Sequence, residues 1–158
     1  MRGERREERG TEIRIRRRVQ FSETDVAGIV HFSNFFRYFE DAEHALWREA
    51  GLSVHPTQSS IGWPRVAAAC EFHRPLRFEQ EFDITVRIAE MSRRAITYAG
   101  EITSGADRIA TGTWKIACVI KLPDGSMKST EIPDEVASRL SRTSHLSRAS
   151  HLAPPTSL

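Results

Sequence analysis

An α+β domain is the fold class that this 158-residue sequence predicts, and three observations lead to it. One strongly amphipathic helical stripe lies early, near residues 34–50. Four extended runs rich in Ile, Val, Thr and aromatics fill the second half. The connections between those runs are too short for crossover helices, so successive strands are antiparallel neighbours. A single helix against roughly five antiparallel strands is an α+β arrangement, and no strand–helix alternation supports a doubly wound sheet.

The elements follow in order. Over Thr11 to Gln20, Ile13, Ile15 and Val19 alternate with arginines, the period of two of a half-exposed strand. In the stripe from Asn34 to Ala50, Phe35, Phe39, Ala42, Leu46 and Ala50 recur at three- and four-residue spacing, with Phe36 and Trp47 beside them. Ser33 or Asn34 can cap its start, and Gly51 suits its end. Strands are predicted at Arg65 to Phe72, Phe82 to Met91, Ala95 to Ser104 and Arg108 to Leu122. Their connections read as turns: Arg74-Pro75, Ser92-Arg93-Arg94 and Gly105-Ala106-Asp107. Pro123-Asp124-Gly125 ends the last long strand, and Ile132-Pro133 opens a short terminal helix at best.

Charge divides the chain into three. Residues 1–18 hold eight arginines and four glutamates, and 138–158 hold three arginines and no acid, whereas 19–137 hold twelve bases and seventeen acids. The basic ends and acidic body argue against a nucleic-acid-binding domain, which needs a basic face. Residues 1–10 are predicted to be a disordered basic arm. The Ser/Arg/His/Pro-rich stretch 138–158, with His145 and His151, is predicted to be a disordered tail, because it cannot bury enough apolar area to offset ordering. That leaves one domain over 11–137. The longest apolar runs are five residues, too short to cross a membrane. Two cysteines, Cys70 and Cys118, make no disulfide framework and lack metal-site spacing. With no secretory signal, the expected location is the cytoplasm.

There is no Gly-x-Ser-x-Gly elbow, phosphate-binding glycine loop or His-Glu-x-x-His motif, so no metal site is expected. The unusual segment is Phe21 to Asn34, which carries Asp25 between the first strand and the apolar helix. Such an acid lies near unpaired helix-start N–H groups, where a carbonyl oxygen can be polarised while the carboxylate attacks or activates water. The same residue can equally cap a turn.

The run Thr24-Asp25-Val26-Ala27-Gly28-Ile29-Val30-His31-Phe32-Ser33-Asn34-Phe35-Phe36-Arg37-Tyr38-Phe39-Glu40 resembles the signature of hotdog-fold acyl-CoA thioesterases of the 4-hydroxybenzoyl-CoA thioesterase-like family. The resemblance covers about 12–135, since the order of elements also agrees. It implies an antiparallel five-stranded sheet wrapped around one long central helix, working as a homodimer or homotetramer with sites where subunits meet. An independent reason points the same way, because a lone short sheet has edges to cover.

Carried onto this chain, the family's catalytic aspartate is Asp25, acting as nucleophile or as general base. Its polarising amide is that of Phe32, seven positions later, and Gly28 allows close chain approach at the acyl–sulfur junction. Many relatives place His or Tyr where Phe32 stands, and here the histidine is one earlier, at His31. His31 is either a proton carrier or a structural loop histidine. Arg37 and Glu40 have ion-pair spacing. Arg74, Arg77, Arg93, Arg94 and Lys121 could meet CoA phosphates, with Arg93 and Arg94 carried forward, and Trp63 could wall the acyl pocket. The implied substrate is a small acyl- or aroyl-CoA, hydrolysed without a cofactor beyond the CoA it carries. A 1,4-dihydroxy-2-naphthoyl-CoA type of aromatic thioesterase and a non-catalytic acyl-CoA-binding module are the alternatives.

Overall fold

A computed structural model describes residues 11–142 and 146–150, the last five as backbone only. Predicted features on 1–10, 143–145 and 151–158, including His145 and His151, lie outside the described residues. Nine strands and two helices run in the order β1 (Glu12–Arg18), α1 (Ser33–Glu49), β2 (Ile61–Gly62), β3 (Arg65–Phe72), β4 (Glu81–Met91), β5 (Ala95–Ser104), β6 (Asp107–Ala117), β7 (Val119–Lys121), β8 (Met127–Ser129), α2 (Asp134–Arg142) and β9 (Leu146–Ser150). A 3-10 turn, Phe21–Glu23, follows β1.

The main sheet has the order β3-β6-β5-β4-β1-β9. Its first five strands pair antiparallel, as expected, while β9 joins β1 in parallel. This is the hotdog arrangement. Alternation explains how β1, β4, β5 and β6 each share one face with the core. Ile13 and Ile15 on β1 point inward with Phe82, Ile84 and Val86 on β4, while Arg14 and Arg16 point outward onto Asp83 at 2.8 and 3.2 Å. Burial works against the charge of Asp83, but the hydrogen bonds from these two arginines outweigh it and hold its carboxyl below the usual range.

α1 buries Phe35, Tyr38, Phe39, Ala42, Glu43, Ala45, Leu46 and Trp47. Phe39 lies on a notch in the sheet where Gly100 of β5 and Gly112 of β6 stand opposite each other. A Cβ on Gly100 would stand 2.6 Å from the Phe39 ring, and one on Gly112 2.7 Å. The helix approaches the sheet this closely because neither position carries a side chain.

Two expectations need correction. The predicted strand 108–122 changes sheets at Cys118, whose N–H donates to Arg94 O and whose carbonyl accepts from Thr130 N. Beyond it, β7 pairs with β2 and β8 in a second, three-stranded sheet. The boundary at 137 is also wrong, because α2 continues to Arg142. Acids open this helix and arginines close it, as the helix dipole favours, and Leu140 is fully buried. The tail composition was a poor guide to β9 as well, since backbone pairing along β1 needs no apolar side chain. Among the described residues no helix is long and apolar enough to cross a membrane.

The glycine notch is testable. Gly112→Ala is expected to cost about 1–3 kcal/mol by overpacking against Phe39, read as a lower denaturant midpoint with an unchanged slope. Stability equal to the parent would contradict the close approach.

Candidate active site

The chain leaves β1 through a turn held by charge. Arg17 shares the inward phase of Ile13 and Ile15, and its guanidinium lies 4.9 Å over the Tyr38 ring. One of its nitrogens meets Glu23 at 3.2 Å and the other meets Asp41 on α1. Glu23 also accepts the Gln20 N–H at 2.9 Å, closing the 3-10 turn. The Glu23 carbonyl then accepts twice, from His31 N and from Asn34 Nδ2, each at 2.9 Å. Strand end, turn and helix start are thereby tied together.

Between those ties the chain makes a short hairpin. Thr24 and Val30 form an antiparallel bridge, as do Ile29 and Arg77. The Gly28 N–H donates to Asp25 O at 3.0 Å, and Gly28 adopts φ +78°, the left-handed region that glycine tolerates best. Nothing lies within 4 Å of where its Cβ would be, so backbone conformation is the reason for glycine here. Asp25 is half-buried. Its Oδ1 accepts from Ala27 N at 2.8 Å, the turn-capping contact, while Oδ2 has no hydrogen bond among the described residues.

At the helix start, the Asn34 N–H donates to His31 O and the Phe35 N–H to Phe32 O. The Ser33 N–H donates to His31 Nδ1 at 3.3 Å. The Phe32 N–H has no partner among the described residues. His31 Nδ1 also meets Ser33 Oγ at 2.7 Å, and its ring lies 4.5 Å from that of Phe32. These contacts all lie within the helix-start turn itself. Asp25, Gly28, His31 and Phe32 are thus brought together in one loop and helix start.

The other candidates lie elsewhere. Arg93 and Arg94 occupy the β4–β5 turn, where Arg93 pairs with Glu131 and Arg94 bonds Ser129. The Asp25 loop adjoins the opposite end of β4, through Val19 N to Gln80 O. The 11 residues of β4 span about 34 Å, so one chain does not bring these arginines to Asp25. Trp63 packs edge-on against Trp47 at 5.0 Å, beyond the far half of α1. Glu40 pairs with Arg65 rather than Arg37.

Sequence reasoning missed the Arg65 cluster. From the start of β3, Arg65 reaches Glu40 and Glu43, each at 3.0 Å. Glu43 is 3% exposed and also accepts from Trp114 Nε1 at 2.6 Å. Burial pushes the Glu43 carboxyl up, and Arg65 works against that shift. The available signal was Glu43 itself, an acid on the buried face of the apolar stripe.

An acid whose pKa is raised by folding binds its proton more tightly in the native state, so its charge costs stability as pH rises. Arg65→Ala is therefore expected to destabilise by about 3 kcal/mol at pH 8 and clearly less at pH 5, where Glu43 protonates more readily. Thermal melts at the two pH values check this; equal losses would contradict it.

Comparison with known proteins agrees with the fold. Residues 19–140 match the thioesterase-like superfamily. An Aquifex aeolicus (strain VF5) protein, provisionally named an esterase, is 36% identical over 123 residues, 77% of this chain and 91% of that protein. The 1,4-dihydroxy-2-naphthoyl-CoA hydrolase of Thermosynechococcus vestitus is 28% identical over 128 residues, 78% of this chain and 85% of that one. A solved Synechocystis 1,4-dihydroxy-2-naphthoyl-CoA thioesterase shares the fold, with a TM-score of 0.77 at 21% identity over 85% of this chain and 99% of that structure. The superfamily match covers most of the chain, and with the hotdog sheet around α1 it leads to one conclusion: this chain belongs to the thioesterase-like superfamily and is a thioester hydrolase.

Proposed function

We propose that the protein hydrolyses a small acyl- or aroyl-CoA at the junction of the Asp25 hairpin and the start of α1. The observation that carries this reading is the Phe32 N–H, left without a partner among the described residues at the start of the helix into which the Asp25 hairpin leads, with Asp25 Oδ2 likewise unbonded. The thioester carbonyl oxygen accepts from that N–H, and the positive end of the α1 dipole adds to the polarisation. Asp25 Oδ2 then attacks the carbonyl carbon, or removes a proton from the water that does. A C–O bond forms, the C–S bond breaks, and CoA thiolate leaves and takes up a proton. Where Asp25 is the nucleophile, water hydrolyses the resulting anhydride, so both routes yield carboxylate and free CoA. The reaction needs no metal, because the Phe32 amide supplies the polarisation.

A second reading narrows the acyl group to an aromatic one. The relative from Thermosynechococcus vestitus is named for an aromatic CoA thioester. A cavity of about 100 Å³, one turn along α1 from Phe32, is walled by the rings of Phe36, Phe39 and Trp114. These features favour a planar aromatic acyl group.

A second copy of the chain is proposed to cover the free edge of β3. That strand presents Ala67, Ala68 and Ala69 to solvent, with Val66 57% and Phe72 50% exposed. A long apolar edge of this kind favours pairing with another chain.

Purified protein with a thiol-trapping reagent and a panel of acetyl-, octanoyl-, palmitoyl- and benzoyl-CoA tests the reading. Asp25→Asn is expected to lower kcat by a factor of about 10²–10⁴ while light scattering still reports two or four chains. Undiminished turnover in a correctly assembled variant would overturn the role of Asp25. Saturable binding without CoA release by the parent protein would favour the binding module, and a mass of one chain would contradict the covered edge.

A further inference from the structure

Two cavities flank α1 on its β3 side, and one ion pair stands between them. The smaller is the ring-walled cavity near Phe36, which ends at Glu40 and Arg65. The larger, about 420 Å³, begins at the same two residues and extends to Val54, Trp63 and Met127.

We infer that the Arg65 clamp, with its hold on Glu40 and Glu43, is an acyl-length gate that shuts the larger cavity off from the substrate. The inference rests on the placement of the thioester at Phe32 proposed above. Phe32 and Glu40 are eight positions apart in the chain, about 12 Å along the helix at 1.5 Å per residue. A saturated chain advances about 1.25 Å per carbon, given C–C bonds near 1.5 Å at a near-tetrahedral angle. A carbonyl held at the Phe32 N–H therefore brings roughly the tenth carbon to the clamp.

At that point the chain meets charge rather than apolar wall. Arg65 is engaged at both ends, and Glu43 is further fixed by Trp114. A methylene chain pressed against this pair would strip water from it and offer no hydrogen bond in return. The ring-walled cavity takes a short chain or one aromatic ring, and the space behind the clamp stays unused. With the clamp removed, the two cavities join, and a longer tail reaches a mixed lining in which Val54, Trp63 and Met127 are the apolar members beside His44, His55 and Lys121.

The test compares octanoyl- and tetradecanoyl-CoA, both as hydrolysed thioesters and as 2-oxoalkyl-CoA thioethers, which keep a carbonyl but cannot be hydrolysed. The parent protein is expected to disfavour the longer chain roughly tenfold or more in kcat/KM and in Kd. Arg65→Ala combined with Glu43→Gln opens the gate while keeping an acceptor for the Trp114 N–H, and is expected to raise the long-to-short ratio roughly tenfold. Adding Val54→Trp, which fills part of the larger cavity, returns the ratio towards the parent value. Glu40→Ala, at a half-exposed position, frees one end of Arg65 and shifts the ratio the same way by less. Unchanged ratios in the folded variants, or no effect of filling the cavity, would overturn the gate. The thioether series reads the gate by binding alone, so its failure is distinct from a failure of Asp25 to catalyse.

Discussion

Every helix begins with N–H groups that its own carbonyls cannot reach, and the chain must satisfy them or leave them open. At the start of α1, the ring of His31 takes the Ser33 N–H, the His31 carbonyl takes that of Asn34, and the Phe32 carbonyl takes that of Phe35. Of these helix-start groups, Phe32 keeps its N–H without a partner among the described residues. The surrounding architecture keeps this arrangement in place. Arg17 ties the end of β1 to Glu23 and Asp41, Asn34 ties α1 back to the 3-10 turn, and the hairpin between them presents the carboxylate. A loop fixed at both ends loses little further freedom when substrate arrives, which is how pre-organisation serves catalysis.

Two arginines perform parallel tasks. Arg17 and Arg65 each bridge two carboxylates and tie a strand to α1, Arg17 where the Asp25 loop meets the helix and Arg65 where two cavities do. Arginine suits this use because its planar fork stays charged and can serve two acceptors at once. The desolvation of Glu43 is offset by Arg65 and Trp114, yet its carboxyl still stands above the usual range. Such a cluster adds little net stability, but removing one member leaves a charge buried without compensation. Its value is in fixing where β3 begins relative to the helix.

Much of this was legible in the residues. The 3.6-residue stripe placed α1 to within a residue at either end, and alternation placed β1, β3, β4 and β5 comparably well, because these signals are local. The placement of Asp25 in a loop between β1 and α1 was legible, whereas the hairpin pairing of Thr24 with Val30 was not. What escaped depends on partners far along the chain. The Arg108 to Leu122 run has no local mark at Cys118, where contacts to Arg94 and Thr130 divert it. β9 forms by backbone pairing to which composition is blind. Arg93 and Arg94 looked apt for phosphate by charge alone, but topology sets them about a full strand length from Asp25. Arg17 was readable and overlooked: it falls in the buried phase of Ile13, Ile15 and Val19, where a charge calls for a partner.

The most direct measurement replaces the Phe32 amide with an ester by chemical ligation, deleting that one donor while leaving every side chain in place. The account predicts that kcat for a short acyl-CoA falls by a factor of about 10²–10³ with KM little changed and the fold intact. Full activity in the folded ester variant would contradict it, since the thioester oxygen would then be polarised by some other group.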